Sequence, residues 1–271
     1  MFKIHPDNMR MEPTPERVYA ICRLVAFQSL TRTAIQEQMS LLEPSSNNYS
    51  EINSSLNVAM NELDLLQAKD NLVILRAPHD VFASMKNFRR HVSANVFQKK
   101  DTTFYKVSKW YIEQNENVFE LDSWERRANE AVKAGINQLV ENDFLGWRFW
   151  ASFLGLGYLN GENTRRTVLL PNMKIRLQDV FATTFADAFG FGEPIPARDF
   201  LEWLFTVVPE AIVPIGEQLP LALSNGLRTL HDLGSIKLET RMDTYKNALY
   251  HIDGEEYNGF SHVIVKEVIL E

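Results

Sequence analysis

The sequence predicts a mostly α-helical chain with small β hairpins, an α+β class, and two stretches carry most of that expectation. The segment from Ser50 to Leu75, SEINSSLNVAMNELDLLQAKDNLVIL, passes from a helical to a strand period within one short run. Ile52, Leu56, Ala59, Met60, Leu63 and Leu66 recur at steps of three and four, which lines them along one side of a helix over 50–67 with Asn53, Asn57 and Asn61 opposite. Lys69, Asp70 and Asn71 supply turn residues, and Leu72 to Leu75 is an apolar run suited to a strand. The second stretch repeats the first at an offset of 167: Leu223, Gly226, Leu227, Leu230 and Leu233 fall where Leu56, Ala59, Met60, Leu63 and Leu66 do. Any amphipathic helix repeats leucines in this way, so a duplicated unit and a chance match both remain open.

Taken in order, residues 1–13 read as a flexible arm. Thr14 before Pro15 and Glu16 starts a helix: the hydroxyl accepts from the first turn, proline stands where no donor is needed, and the carboxylate sits near the positive end. Val18, Ile21, Cys22 and Val25 form its apolar stripe. A second start falls at Thr31, with Ile35 and Met39 carrying that helix to the polar break Pro44–Asn48. His79 to Lys100 has Val81, Met85, Phe88, Val92 and Val96 at helical spacing, and Trp124 to Leu139 is another helix with Asp122 as cap candidate. Further on, the pattern predicts a strand at 167–170, helices over 173–189 and 197–208, and a proline-broken connection to 220. At the end, Ile236, Leu238 and Met242 open a hairpin continued by 248–252, a turn at Asp253 and Gly254, and 263–270.

Helix, short turn, helix, polar loop, longer helix, hairpin is the order over residues 14–76, and in that order and those lengths the segment resembles a winged helix-turn-helix domain. The resemblance implies an N-terminal winged helix (14–78), a helical middle region (79–196) and a second winged-helix-like C-terminal unit (197–271). It makes the helix from Ser50 the recognition helix and Lys69–Asn71 the wing tip, with Asn48, Tyr49, Ser50, Asn53, Asn57 and Lys69 facing duplex DNA. That face carries no Lys or Arg before the wing, although phosphate attraction supplies most of the affinity of DNA binding. Separately, RVYAICRLVAF (Arg17–Phe27) and FWASFLGLGYL (Phe149–Leu159) resemble accessory proteins of bacterial phage-defence islands, including those linked to deazaguanine DNA modification.

The cations follow the wing: Lys86, Arg89, Arg90, Lys99 and Lys100, with Lys106 and Lys109 beyond. Phe97, Phe104, Tyr105, Trp110 and Tyr111 interleave them and read as core more readily than as base-stacking surfaces. Net charge is −7, with residues 1–110 at +3 and 111–271 at −10. Weak, nonspecific contact with duplex DNA is therefore expected from the first part, and a protein partner docked through 111–271, where Trp124, Trp147, Trp150 and Trp203 suggest an anchoring surface. Oligomeric state is not legible.

No reaction is legible either. The chain lacks GxxxxGK[ST], HExxH and GxSxG, and no lysine follows any of its 12 glycines. The pairs His79–Asp80 and His231–Asp232 lack further ligand histidines, and His251, Asp253, Glu255 and Glu256 surround a Gly254 that marks a hairpin turn first. The single cysteine, Cys22, lies on an apolar helix face and suits a reducing compartment. With no apolar leader and no clean run of membrane length, a nonenzymatic cytoplasmic adaptor without cofactor or metal is expected, and a pure protein-interaction subunit is the alternative.

Overall fold

The threonines at the two expected helix starts cap as their positions require. In the computed structural model, which describes residues 1–3, 9–40, 49–121, 123–136, 139–161, 167–242, 244, 246–253 and 258–267, Thr14 Oγ accepts from Arg17 N at 3.4 Å and opens α1 (Pro15–Phe27). Thr31 Oγ accepts from Ala34 N at 3.2 Å and opens α2 (Arg32–Met39). The fold is mostly helical with short antiparallel strands, and no helix among the described residues is long and apolar enough to cross a membrane. The chain forms two units, residues 1–107 with 123–153 and residues 108–122 with 154–271. The expected helical middle region is therefore not a body of its own: parts of 79–196 pack in each unit.

In the first unit, α3 (Ser50–Asn61) ends a turn and a half before Gln67. Asp64 takes a left-handed φ of 56° and Leu66 starts β1 (Leu66–Lys69), so Leu66, expected on the helix stripe, is buried from a strand instead. β2 (Leu72–Leu75) returns antiparallel with Lys69 opposite Leu72. The two-residue link, Asp70 at φ 51° and Asn71 at φ 65°, is the left-handed hairpin turn that Asp and Asn tolerate best. Leu30, between α1 and α2, exchanges backbone hydrogen bonds with Val73 at 2.7 and 3.3 Å. The order across this small sheet is thus Leu30, β2, β1.

The run His79–Lys100 is two pieces rather than one helix, a 3-10 turn (His79–Phe82) and α4 (Met85–Val96), because Ser84 intervenes and caps Asn87 N at 3.0 Å. α5 (Thr103–Glu113) and α6 (Asn117–Glu120) follow, then α7 (Trp124–Lys133) and α8 (Glu141–Phe153). Ser123 caps α7; Asp122, the cap expected, lies outside the described residues.

The segment expected as a flexible arm is anchored where it is described. Met1, Phe2 and Met9 are buried, the N-terminal ammonium meets Glu62 at 3.0 Å, and Met9 N donates to Asp143 Oδ1 at 2.7 Å. Trp150 Nε1 donates to Pro13 O at 2.6 Å. Gly146 makes this possible, since a Cβ there would collide with the carbonyls of Met9 and Arg10. Phe2 stacks edge-on against Trp150 at 5.1 Å and lies 4.9 Å from Phe104.

In the second unit β3 (Gly157–Asn160) and β4 (Val168–Pro171) form a hairpin whose Leu169 carbonyl accepts from Tyr111 Oη at 2.9 Å. A continuous helical stretch follows as α9 (Lys174–Val180), a π turn (Phe181–Phe185) and α10 (Ala186–Ala188). Then come β5 (Pro194–Pro196), α11 (Ala197–Val207), α12 (Leu221–Asp232) and β6 (Ile236–Glu239). The last strands are β7 (Asn247–Ala248), β8 (Gly259–Phe260) and β9 (His262–Val265).

The expected C-terminal hairpin pairs differently: β9 lies between β5 and β6, and β7 pairs with β8 in a separate ladder. From α1 to β2, with the single bridging residue Leu30 as first strand, and from α9 to β9, with β7 and β8 interposed, the elements run helix, strand, helix, helix, strand, returning strand, and the returning strand lies in the middle of three. Gly226 lets α12 reach the start of α9, where a Cβ would stand 2.9 Å from Lys174 N and from Met173 C. Arg176 and Glu210 form a buried ion pair at 2.8 Å.

Candidate nucleic-acid interface

α3 packs on α1 through Ser55, Leu56, Val58 and Ala59 and turns its other side outward. Ser50, Glu51, Asn57 and Asn61 are exposed, while Tyr49, Asn53 and Ser54 are half-buried. The two asparagines singled out by the sequence differ. Asn53 Oδ1 accepts from Gln36 Nε2 of α2 at 2.7 Å, so it ties the two helices together, whereas Asn57 stands in solvent. Asn48 lies outside the described residues. Lys69, beside the turn, is exposed.

The charge on this face is more balanced than the sequence suggests. Glu51, on α3 itself, pairs with Arg17 of α1 at 2.6 Å, and Asp64 pairs with Arg76 at 2.8 Å. Arg32 donates to Met60 Sδ at 3.4 Å.

The basic cluster separates in the same way. Lys99 Nζ donates to Glu62 O at 3.1 Å, just past the end of α3, where a cation complements the carbonyl end of a helix. Lys109 pairs with Glu113 at 2.6 Å. Lys86, Arg89 and Arg90 of α4 are half-buried, and Lys100 is exposed. Lys99 and Lys100 line a cleft of about 640 Å³ with Phe2, Lys3 and the acidic Glu62, Asp64 and Asp101. Phosphate attraction would be largely cancelled there.

Phe97, Phe104, Tyr105, Trp110 and Tyr111 are buried, so none offers a ring for stacking on bases. The anchoring surface expected on residues 111–271 fails for the same reason. Trp124, Trp147 and Trp150 are fully buried in the first unit, with Trp124 and Phe144 at 6.1 Å, and Trp203 is half-buried among Phe181, Phe185 and Phe189. The boundary at 111 also cuts through α5, and 123–153 pack with the N-terminal unit. Sequence reasoning went wrong here because it counted aromatic residues without a partner surface to bury them.

By unit, the first holds 17 Lys and Arg against 15 Asp and Glu, and the second 11 against 20, which leaves +2 and −9. In the second unit α12 has no comparable open face. Eight of its twelve residues are buried, Ser224 and Arg228 among them. Arg228 donates to Tyr250 O at 2.6 Å, Asn225 to Pro171 O at 3.0 Å, and Ser224 Oγ accepts from Tyr250 N at 2.8 Å.

Among the described residues no three His, Cys, Asp or Glu gather as a metal would require. His79 Nε2 reaches Ala26 O at 3.0 Å, and His231 Nδ1 accepts from Leu238 N at 3.2 Å, so both hold local structure. Burial pushes the Cys22 thiol far above its ordinary range, which leaves it unreactive. Of the segments likened to phage-defence proteins, Arg17–Phe27 lies in α1 with four buried side chains, and Phe149–Leu159 runs out of α8 into β3. Compared with family models, with curated proteins and with solved structures, the chain matches none.

Proposed function

We propose that the protein is a nonenzymatic tandem winged-helix subunit that touches duplex DNA through α3 and the β1–β2 turn of its first unit. The observation that carries this reading is the open polar face of α3, set on the same element order that in the second unit leaves α12 covered. Asn57 and Lys69 are the contacts on that face, with the cations of α4 adding attraction and Lys100, in its cleft of mixed charge, adding little. The small net charge of the first unit makes the binding weak, in the roughly 10⁻⁴ to 10⁻⁶ M range of nonspecific contact, and steeply salt-dependent. A setting in bacterial phage defence belongs to the same proposal.

A second reading, α3 docking a protein, is favoured by one observation: the exposed Glu51–Arg17 pair puts a carboxylate, which repels phosphate, on the outer side of α3. Fluorescence anisotropy of the full chain with a short duplex distinguishes the two. The DNA reading expects binding at low salt that Asn57→Lys strengthens and Asn57→Glu removes. No complex with either variant assigns α3 to a protein partner.

A further inference from the structure

One aromatic cluster of the second unit reaches the surface. At its centre is Phe185, fully buried at the end of the π turn. Phe189, Phe191 and Trp203 pack around it at 5.6, 5.1 and 5.5 Å, and all three are half-buried, so each keeps part of its ring in water. In the π turn Thr183 and Thr184 return their hydroxyls to Asp179 O and Val180 O, each at 2.9 Å. Such turns within a helix are frequent at functional sites.

Carboxylates surround these rings. Asp187 stands between Phe185 and Phe189 in the chain. Between Phe189 and Phe191 is Gly190, and Glu193 folds back until its Cγ lies 3.8 Å from where a Cβ on that glycine would be. Asp199 precedes Trp203 by one turn of α11, so the two share a side of that helix. Asp187, Glu193 and Asp199 are all exposed, and none forms an ion pair among the described residues. Arg198 is the only cation over residues 182–207, and its Nε is on Glu202 at 2.9 Å. Gly192 N donates to Val265 O, but the Nζ of the adjoining Lys266 points away to the Gly234 turn. Four carboxylates against one cation leave −3 on this segment.

Apolar ring surface by itself would accept any hydrophobic side chain, and a carboxylate rim would not favour one. The face of an aromatic ring attracts cations, most strongly at Trp. A guanidinium lies flat on a ring while its N–H groups reach a carboxylate, which an ammonium does less well. We propose that this cluster docks a basic segment of a partner protein, with an arginine side chain laid on the rings and paired with Asp199. The surface is far smaller than the anchoring face expected over residues 111–271, and it works through charge rather than apolar burial.

The test uses the full chain and a tetra-arginine peptide amide, followed by calorimetry and by the Trp203 indole N–H resonance, which is assigned by its loss in Trp203→Phe. Binding is expected to saturate, to shift that resonance, to weaken as salt rises, and to be roughly tenfold tighter than for tetra-citrulline, which keeps the shape and lacks the charge. Asp187→Asn with Glu193→Gln and Asp199→Asn, all on exposed side chains, is expected to weaken binding about tenfold or more. Glu217→Gln with Asp232→Asn and Glu267→Gln removes the same charge from other exposed positions of the second unit and is expected to change affinity by less than about twofold. No binding of tetra-arginine, an unshifted Trp203 signal, equal affinity for tetra-citrulline, or equal losses in the two triple variants overturns the proposal.

Discussion

α3 and α12 have the same length and the same place in the element order of their units, but they use their outer sides in opposite ways. α3 buries four of twelve residues and leaves a polar side in water whose one charged residue is Glu51. α12 buries eight, is capped from outside by Asn115 Oδ1 at 2.8 Å from Leu221 N, and holds Tyr250 and the β4 end with its polar side chains. Of the pattern that repeats at an offset of 167, Leu56, Ala59 and Leu63 and their counterparts Leu223, Gly226 and Leu230 are all buried, but Leu233 is 58% exposed while its counterpart Leu66 is buried in β1, so the likeness holds for the inner sides and ends there. What a helix does outward depends on whether another segment of the chain covers it.

The largest expected effect separates a buried ion pair of the second unit. Arg176 and Glu210 are both almost fully buried, and Arg176 also donates to Val207 O at 2.7 Å. Removing one partner, as in Arg176→Met, leaves a charge in a low-dielectric interior and should destabilise by about 3–5 kcal/mol in urea unfolding. An effect near zero would show that water reaches the pair. Next come the inner faces: Leu56→Ala and Leu223→Ala should each lose about 2–5 kcal/mol. A large difference between them in chemical denaturation would break the likeness that the spacing suggests.

Gly226→Ala sharpens the same comparison, because Ala59 already carries a Cβ at the matching position. The added carbon would press on backbone at Lys174 and Met173, which cannot rotate away as a side chain can, and the change should destabilise by about 1–3 kcal/mol despite alanine's better helix propensity. Unchanged melting would mean that α9 shifts freely against α12.

The smallest effects are on the exposed side. Asn57→Ala should alter stability by less than about 0.5 kcal/mol, since nothing packs on it, and should be felt only in binding.

A pH effect belongs to the first unit. Burial lowers the His91 pKa from its ordinary 6.5, against the opposing attraction of Asp80. The unfolded chain then binds the proton more readily than the folded one, so the contribution of the neutral imidazole is present above about 6.5 and is lost as pH falls towards the lowered folded value. His91→Gln should flatten the fall of stability over that window in melts taken between pH 7 and 5. An unchanged slope would place the acid sensitivity elsewhere.

Much of the local structure was legible. The threonine caps at 14 and 31, the helix from Ser50, the Asp70–Asn71 turn and the burial of Phe88, Phe97 and Phe104 all depend on neighbours in sequence or on simple period. The end of α3 was misplaced because Leu63 and Leu66 keep a helical spacing while Asp64 leaves the helical conformation. Of the candidate interface, the exposed Asn57 and Lys69 were readable, but the roles of Asn53 and Lys99 were not: their partners Gln36 and Glu62 lie 17 and 37 residues away.

The sequence by itself therefore determined the helical class, the caps, the first hairpin and the inner stripes, all set by short-range sterics, capping and periodic burial. The tertiary structure alone decided that residues 79–196 divide between two units, that Met1, Met9 and Pro13 are held by Glu62, Asp143 and Trp150, that the tryptophans face inward, and that α12 is covered while α3 is open. Each of these rests on contacts between residues far apart in the chain, and a side chain's burial depends on what folds over it, which residue type and spacing do not encode.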